Sequence, residues 1–208
     1  RLPTSVARRL ESPFSRWRWM LSSTTTALST SIPTASISPI MERMLSVRPV
    51  TDDDCRLLWE WVNEPGVRSF AFQSHFIPWE EHRAWFAAKR VDPCWVMFIV
   101  LDEIRRPVGQ VRFEPQDQDG AATEVAISIG REWRGRGYGT EAIRLACEAY
   151  RRMGQAARVV ACIKPENVAS LRIFEKAGFV LQGRQYVRGH DAVCMSFELK
   201  NRPAPSKR

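Results

Sequence analysis

No part of this 208-residue chain is apolar for long enough to cross a bilayer. The longest unbroken apolar run, Cys94 to Leu101, has the length of a strand, whereas a membrane helix needs about 20 residues. Cysteine is scarce: Cys55, Cys94, Cys147, Cys162 and Cys194 are scattered, odd in number and without a CxxC pair. That spacing excludes a disulfide framework and a zinc site, so no metal is expected, and it fits reduced thiols packed as small apolar side chains in the cytoplasm. Acidic residues are nearly absent from the two ends. Arg1, Arg8, Arg9, Arg16 and Arg18 face Glu11 alone, and the last eight residues add Arg202, Lys207 and Arg208. The net charge of +8 therefore belongs to the tails. A nearly neutral body argues against a nucleic-acid partner. Glycine is sparse too, with 11 in all, which singles out one run: RGRGYGT at 134–140.

What is present describes one ordinary domain with extensions. A 44% hydrophobic and 26% charged composition is enough to build a core. Residues 1–43 are rich in Ser, Thr and Arg, with no periodic apolar face. They read as an unstructured extension, or as sequence upstream of a natural start at Met41 or Met44, in preference to an organelle transit peptide. Residues 44–200 carry the pattern of a folded domain, and 201–208 form a basic flexible tail.

Within the domain, LSVRPV is a short strand, and Thr51 with Asp54 forms a capping-box start for CRLLWEWVNE. The EPG at 64–66 is expected to stop that helix. A second helix, 78–90, opens on Pro78 at its first position. Strands follow at 94–101, 107–115 and 121–130, joined by short polar breaks that suit antiparallel hairpins. A helix at 139–153 leads to RVVACI (158–163), a continuously apolar strand expected to be buried on both sides. The helix 167–178 has Asn167 as N-cap and Gly178 as C-terminal stop, and two more strands close the chain. The order gives an α/β (α+β) fold: a mixed, mostly antiparallel sheet with one parallel crossover.

A strand, a glycine-rich turn and a helix N-terminus make an anion site, because unpaired N–H groups and the helix dipole point at the turn. A plain helix start needs one glycine. Three glycines flanked by Arg134 and Arg136 exceed that need and point to phosphate. The run lacks the Lys-Ser/Thr of a Walker loop and the GxGxxG spacing of a dinucleotide fold. What it matches is (Arg/Gln)-x-x-Gly-x-(Gly/Ala), on Arg134, Gly137 and Gly139. With NVASLRIFEKAGF at 167–179, residues 45–200 resemble the GNAT family of N-acetyltransferases in their order of elements.

The resemblance implies acetyl-CoA as co-substrate and a sheet with a V-shaped opening at the cofactor strand. The diphosphate would rest on Arg134, Gly135, Arg136, Gly137, Tyr138, Gly139 and Thr140. The backbone of Ile127, Ser128 and Ile129 would pair with the pantetheine arm as an added strand, and Asn167, Ser170 and Phe174 would flank it. Glu124 matches the family's general base; its plainer reading is a solvent-facing residue of an alternating strand. Phe174 stands where many members carry a tyrosine acid, so either another group such as Tyr186 or Tyr138 protonates the leaving sulfur, or CoA leaves as a thiolate stabilised by the helix end. Arg68, His75 and Gln110 would face the acceptor, a small-molecule amine. WEWVNEPGVR, IPWEEHRAWF and IKPEN are similar to the branch that acetylates a UDP-linked amino sugar in the pseudaminic acid pathway. A neighbouring branch acetylates ribosomal-protein N-termini, and a non-catalytic CoA-binding module is a further alternative. Monomer and homodimer both stay open.

Overall fold

The computed structural model describes residues 44–116, 122–154 and 158–199. The expected N-terminal extension and C-terminal tail lie outside the described residues. Seven strands form one sheet in the order β1-β2-β3-β4-β5-β7-β6. They are β1 (Ser46–Pro49), β2 (Val96–Leu101), β3 (Pro107–Pro115), β4 (Thr123–Ile129), β5 (Arg158–Ile163), β6 (Val180–Val187) and β7 (His190–Glu198). Every neighbouring pair is antiparallel except β4 and β5, which the crossover helix makes parallel. The α-helices among the described residues are α1 (Cys55–Val62), α2 (Pro65–Arg68), α3 (Trp79–Arg90), α4 (Tyr138–Met153) and α5 (Val168–Ala177).

Alternation along β2 assigns its residues to two faces. Met97, Ile99 and Leu101 turn to one face and form a core with Leu58 of α1, Phe86 of α3, Val50 and Trp95. The opposite face meets α4, which buries Ala142, Ile143, Ala146 and Tyr150 at helical spacing. There Phe113 stacks on Tyr150 at 4.2 Å, and the tyrosine hydroxyl hydrogen-bonds with Thr123 at 3.2 Å. Burying such a ring contributes about 1.5–3 kcal/mol, and the hydroxyl keeps a partner inside the core.

Three local expectations change. Glu64-Pro65-Gly66 does not merely end α1. Pro65 opens a new turn, α2, and the Glu64 carboxylate caps it by accepting from Gly66 N–H at 3.2 Å. Pro78 is the N-cap of α3 rather than its first helical residue. Strand β5 alternates between buried and half-buried residues instead of being buried throughout, because the sheet opens beside it. The capping role of Asp54 is as expected, and Arg48 adds a fork at 2.6 and 2.7 Å. Burial alone would raise the Asp54 carboxyl, but the Arg48 and Thr51 bonds outweigh it and hold it below its usual value.

Candidate active site

The helical cover over the first face ends at β3. Beyond it, the register sets Gln110 opposite Ser128, Arg112 opposite Ala126 and Glu114 opposite Glu124, all half-buried. Two carboxylates directly opposite each other repel unless cations intervene. Lys89 reaches Glu114 from α3 at 2.5 Å, Arg112 lies 3.6 Å from it, and Arg188 grips Glu124 through two bonds of 3.1 and 2.6 Å. Burial would push the Glu114 carboxyl up, but Lys89 and the neighbouring arginines bring it below its ordinary value. Both oxygens of Glu124, the base expected from the sequence, are thus engaged by Arg188.

The glycines of the 134–140 run do different jobs. Gly135 and Gly137 have φ of +74° and +83°, and a Cβ on either would meet no protein atom within 4 Å. Their absent side chains serve the backbone's left-handed bend and leave the ground before α4 open. Gly139 is a packing glycine: a Cβ there would sit 2.6 Å from Ile173 Cδ1 on α5. Gly137 is the N-cap of α4 and supplies no side-chain cap, so the first-turn N–H groups of a 16-residue helix face the bend without one.

The arginines also separate. Arg134 donates from Nε to Ile129 O at 2.9 Å and from Nη2 to the Glu64 carboxylate, whose pKa it lowers. It braces the bend against β4 and Glu64 while its side chain stays 38% exposed. Arg136 lies over the Trp133 ring at 5.3 Å, and Tyr138, expected in the bend, is buried and stacked on that same ring. Thr140 is half-buried in the first turn of α4.

Beside the bend, the sheet splits. Strand β5 registers with β4 only at Thr123 and Glu124, so Val125 to Ile129 run on without a β5 neighbour. Ile127, Ser128 and Ile129 all lie on this diverging stretch. Gln110, assigned by sequence to the acceptor, instead donates from Nε2 to Ser128 Oγ at 3.0 Å, and its Oε1 is buried without a partner among the described residues. Asn167 caps α5 by accepting from Ser170 N–H at 3.1 Å. Phe174 is 2% exposed and packs edge-on against Phe179, as a core residue does.

A cleft of about 460 Å³ opens between the segment after α2, the β5–α5 turn and the β6–β7 hairpin, lined by Ser69, Phe70, Lys164, Tyr186, His190 and Asp191 among others. Tyr186 is exposed on its wall. Arg68 and His75 are not brought to it together. Arg68 donates to the backbone O of His75 at 3.1 Å, its Nε is buried without a partner among the described residues, and the His75 side chain is exposed. Glu64, Lys89 and Arg188 escaped the sequence reading. Only Arg188 left a trace: a two-residue hairpin turn favours Asn-Gly, and Arg188-Gly189 puts a long cation there.

The described residues contain no group of His, Cys, Asp and Glu fit to hold a metal ion, and no helix among them is long and apolar enough to cross a membrane. The uncharacterized protein MJ1062 of Methanocaldococcus jannaschii is 27% identical over 135 residues, which cover 64% of this chain and 27% of that protein. The uncharacterized N-acetyltransferase YobR of Bacillus subtilis is 30% identical over 139 residues, 64% of this chain and 54% of its own length. The chain thus spans between a quarter and about half the length of these curated relatives. The crystal structure of spermidine N-acetyltransferase from Vibrio cholerae in complex with CoA and spermine superposes with a TM-score of 0.68 at 20% identity, over 76% of this chain and 96% of that one, a likeness of fold. The model of the acetyltransferase (GNAT) domain matches residues 44–180, from β1 through the bend, the split sheet and α5, and the chain belongs to that family.

Proposed function

We propose that this chain binds acetyl-CoA along the split between β4 and β5 and transfers the acetyl group to a primary amine. The observation that carries this reading is the split itself: β4 loses its β5 neighbour after Glu124, directly ahead of a helix N-terminus with no side-chain cap and two left-handed glycines. A bent diphosphate fits the second feature and an amide-bearing arm fits the first. The unpartnered Gln110 Oε1, beside Ser128, supports a hydrogen-bond donor on the ligand at that point.

Within this reading, the main-chain groups of residues 135–140 hold the diphosphate, Arg134 positions the bend, and Asn167 and Ser170 border the arm. An aliphatic amine with a pKa near about 10 is protonated at neutral pH and must lose a proton before it attacks. Glu124 receives that proton directly or through water, and Tyr186 supplies one to the departing sulfur. The folded domain comprises 44–200, working in the cytoplasm. A UDP-linked amino sugar is the acceptor we favour, with Lys164 offered to its diphosphate and Phe70 to its base, beside Glu166 and Asp191 on the same walls.

The test is thiol release from acetyl-CoA with a panel of UDP-amino sugars, N-terminal peptides, polyamines and aminoglycosides, run alongside calorimetric titration with CoA. Release with one class identifies the acceptor. Tight CoA binding without release from any member replaces the enzyme with a CoA-binding module, and absence of CoA binding overturns the proposal.

A further inference from the structure

The place where the acceptor nitrogen must lose its proton already holds a cation. Arg188 lies at the tip of the exposed β6–β7 hairpin, yet its guanidinium crosses to β4 and forks onto both oxygens of Glu124. Its Cζ stands 5.6 Å from the Phe72 ring centre. Glu114, across the strand pair from Glu124, is already held by Lys89 and Arg112. The Glu124 carboxylate and the Phe72 face form the nest for a cation that carries N–H donors. A primary ammonium meets the same requirements.

The turn that delivers Arg188 is not built for comfort. Arg188 and Gly189 have φ of +50° and +83°, and left-handed backbone disfavours a side chain such as arginine's at the first of these positions. Asparagine there would suit the turn better. The Arg188 side chain is 52% exposed, while that of Glu124 is only 13% exposed. The exposed, hairpin-borne partner is the one able to leave, and the strand-borne carboxylate stays.

We propose that Arg188 is a specificity-determining residue that occupies the acceptor's ammonium subsite, so that an acceptor enters as a cation by displacing it from Glu124. This rests on the acetyl-transfer reading above and deepens it. After displacement, the ammonium gives one proton to the Glu124 carboxylate. The neutral amine then forms the C–N bond as the thioester C–S bond breaks. Tyr186 gives its proton to the thiolate sulfur and is replenished through water by the nitrogen's second proton, and Glu124 returns its proton to solvent. Acceptors unable to compete with a guanidinium are refused. The apparent affinity of every accepted amine is lowered by the fraction of molecules with the subsite closed.

Arg188→Asn removes the guanidinium and suits the left-handed turn. Thermal denaturation shows its stability unchanged or raised. With acetyl-CoA and 1,3-diaminopropane, the KM for the diamine falls about 10-fold if nine-tenths of the molecules are closed, while kcat changes less and the KM for acetyl-CoA stays put. Guanidinium chloride at low millimolar concentration, matched with NaCl controls, inhibits R188N competitively against the diamine and inhibits the wild type more weakly. Arg188→Gly serves if the first variant does not fold. A raised diamine KM overturns the proposal by making Arg188 an acceptor ligand, and an unchanged KM without guanidinium inhibition makes the ion pair a spectator. NMR of the Arg188 guanidinium during diamine titration of the CoA-bound wild type reports displacement without turnover. A shifted signal in a protein that transfers nothing keeps the subsite and refutes the enzyme, and an unmoved signal refutes the subsite.

Discussion

Gly139→Ala tests whether the glycine at the start of α4 is there for a neighbour or for the backbone. The added Cβ would sit 2.6 Å from Ile173 Cδ1 and 3.1 Å from Ile173 Cγ1, against an ordinary carbon–carbon separation of about 3.5–4.0 Å. The clash is with a side-chain tip, so α5 or the isoleucine rotamer must yield, at about 1–3 kcal/mol. For a chain of this size that lowers Tm by about 3–10 °C. Ile173→Val deletes the offending Cδ1. Alone it costs about 0.5–1.5 kcal/mol, but on the G139A background it relieves strain, giving a coupling of about 1 kcal/mol or more in the double-mutant cycle. Gly137→Ala is the control. Its Cβ meets nothing, so its cost of about 1–2 kcal/mol comes from a left-handed φ and is indifferent to Ile173→Val. Urea denaturation followed by circular dichroism measures all five proteins with the wild type. Strictly additive effects of G139A and I173V refute the packing account of Gly139.

Glu124→Gln keeps the shape but accepts no proton; single-turnover acetyl transfer should slow by about 100-fold or more, with CoA affinity unchanged by calorimetry. Arg134→Lys retains charge but cannot hold Ile129 O and Glu64 together, so CoA binding should weaken at least about 10-fold although the diphosphate site proposed here makes no use of that charge. His82 is buried among Trp79, Trp85 and Phe86, and burial drives its pKa below the usual 6.5 despite its bond to Cys55 O. The unfolded chain therefore binds a proton that the folded one resists. Stability is full above pH 6.5 and declines below it, at up to about 1.4 kcal/mol per pH unit, until the folded pKa is reached. Denaturant midpoints at pH 7.0 and 5.5 measure this, and His82→Gln should flatten the difference.

Much of this molecule could be read from local pattern. The apolar run of β2, helical spacing in α4, the Asn167 cap and the Gly178 stop each depend on residues close in the chain, so sequence neighbours determined them. The anion-binding character of the bend was legible for the same reason, because glycines and a helix start lie side by side in the chain. The roles of individual side chains there were not. The run did not show that Arg134 also bonds Glu64 and Ile129, 70 and five residues away. Gly139 looked like Gly135 and Gly137 until α5 brought Ile173 against it. Phe174 looked like a cofactor contact, and only the fold packed Phe179 edge-on against it. Charge pairing depends on distance in space, not along the chain. Glu124 therefore read as a base from its strand, and only the folding of the β6–β7 hairpin, 64 residues on, gave it Arg188 as a partner.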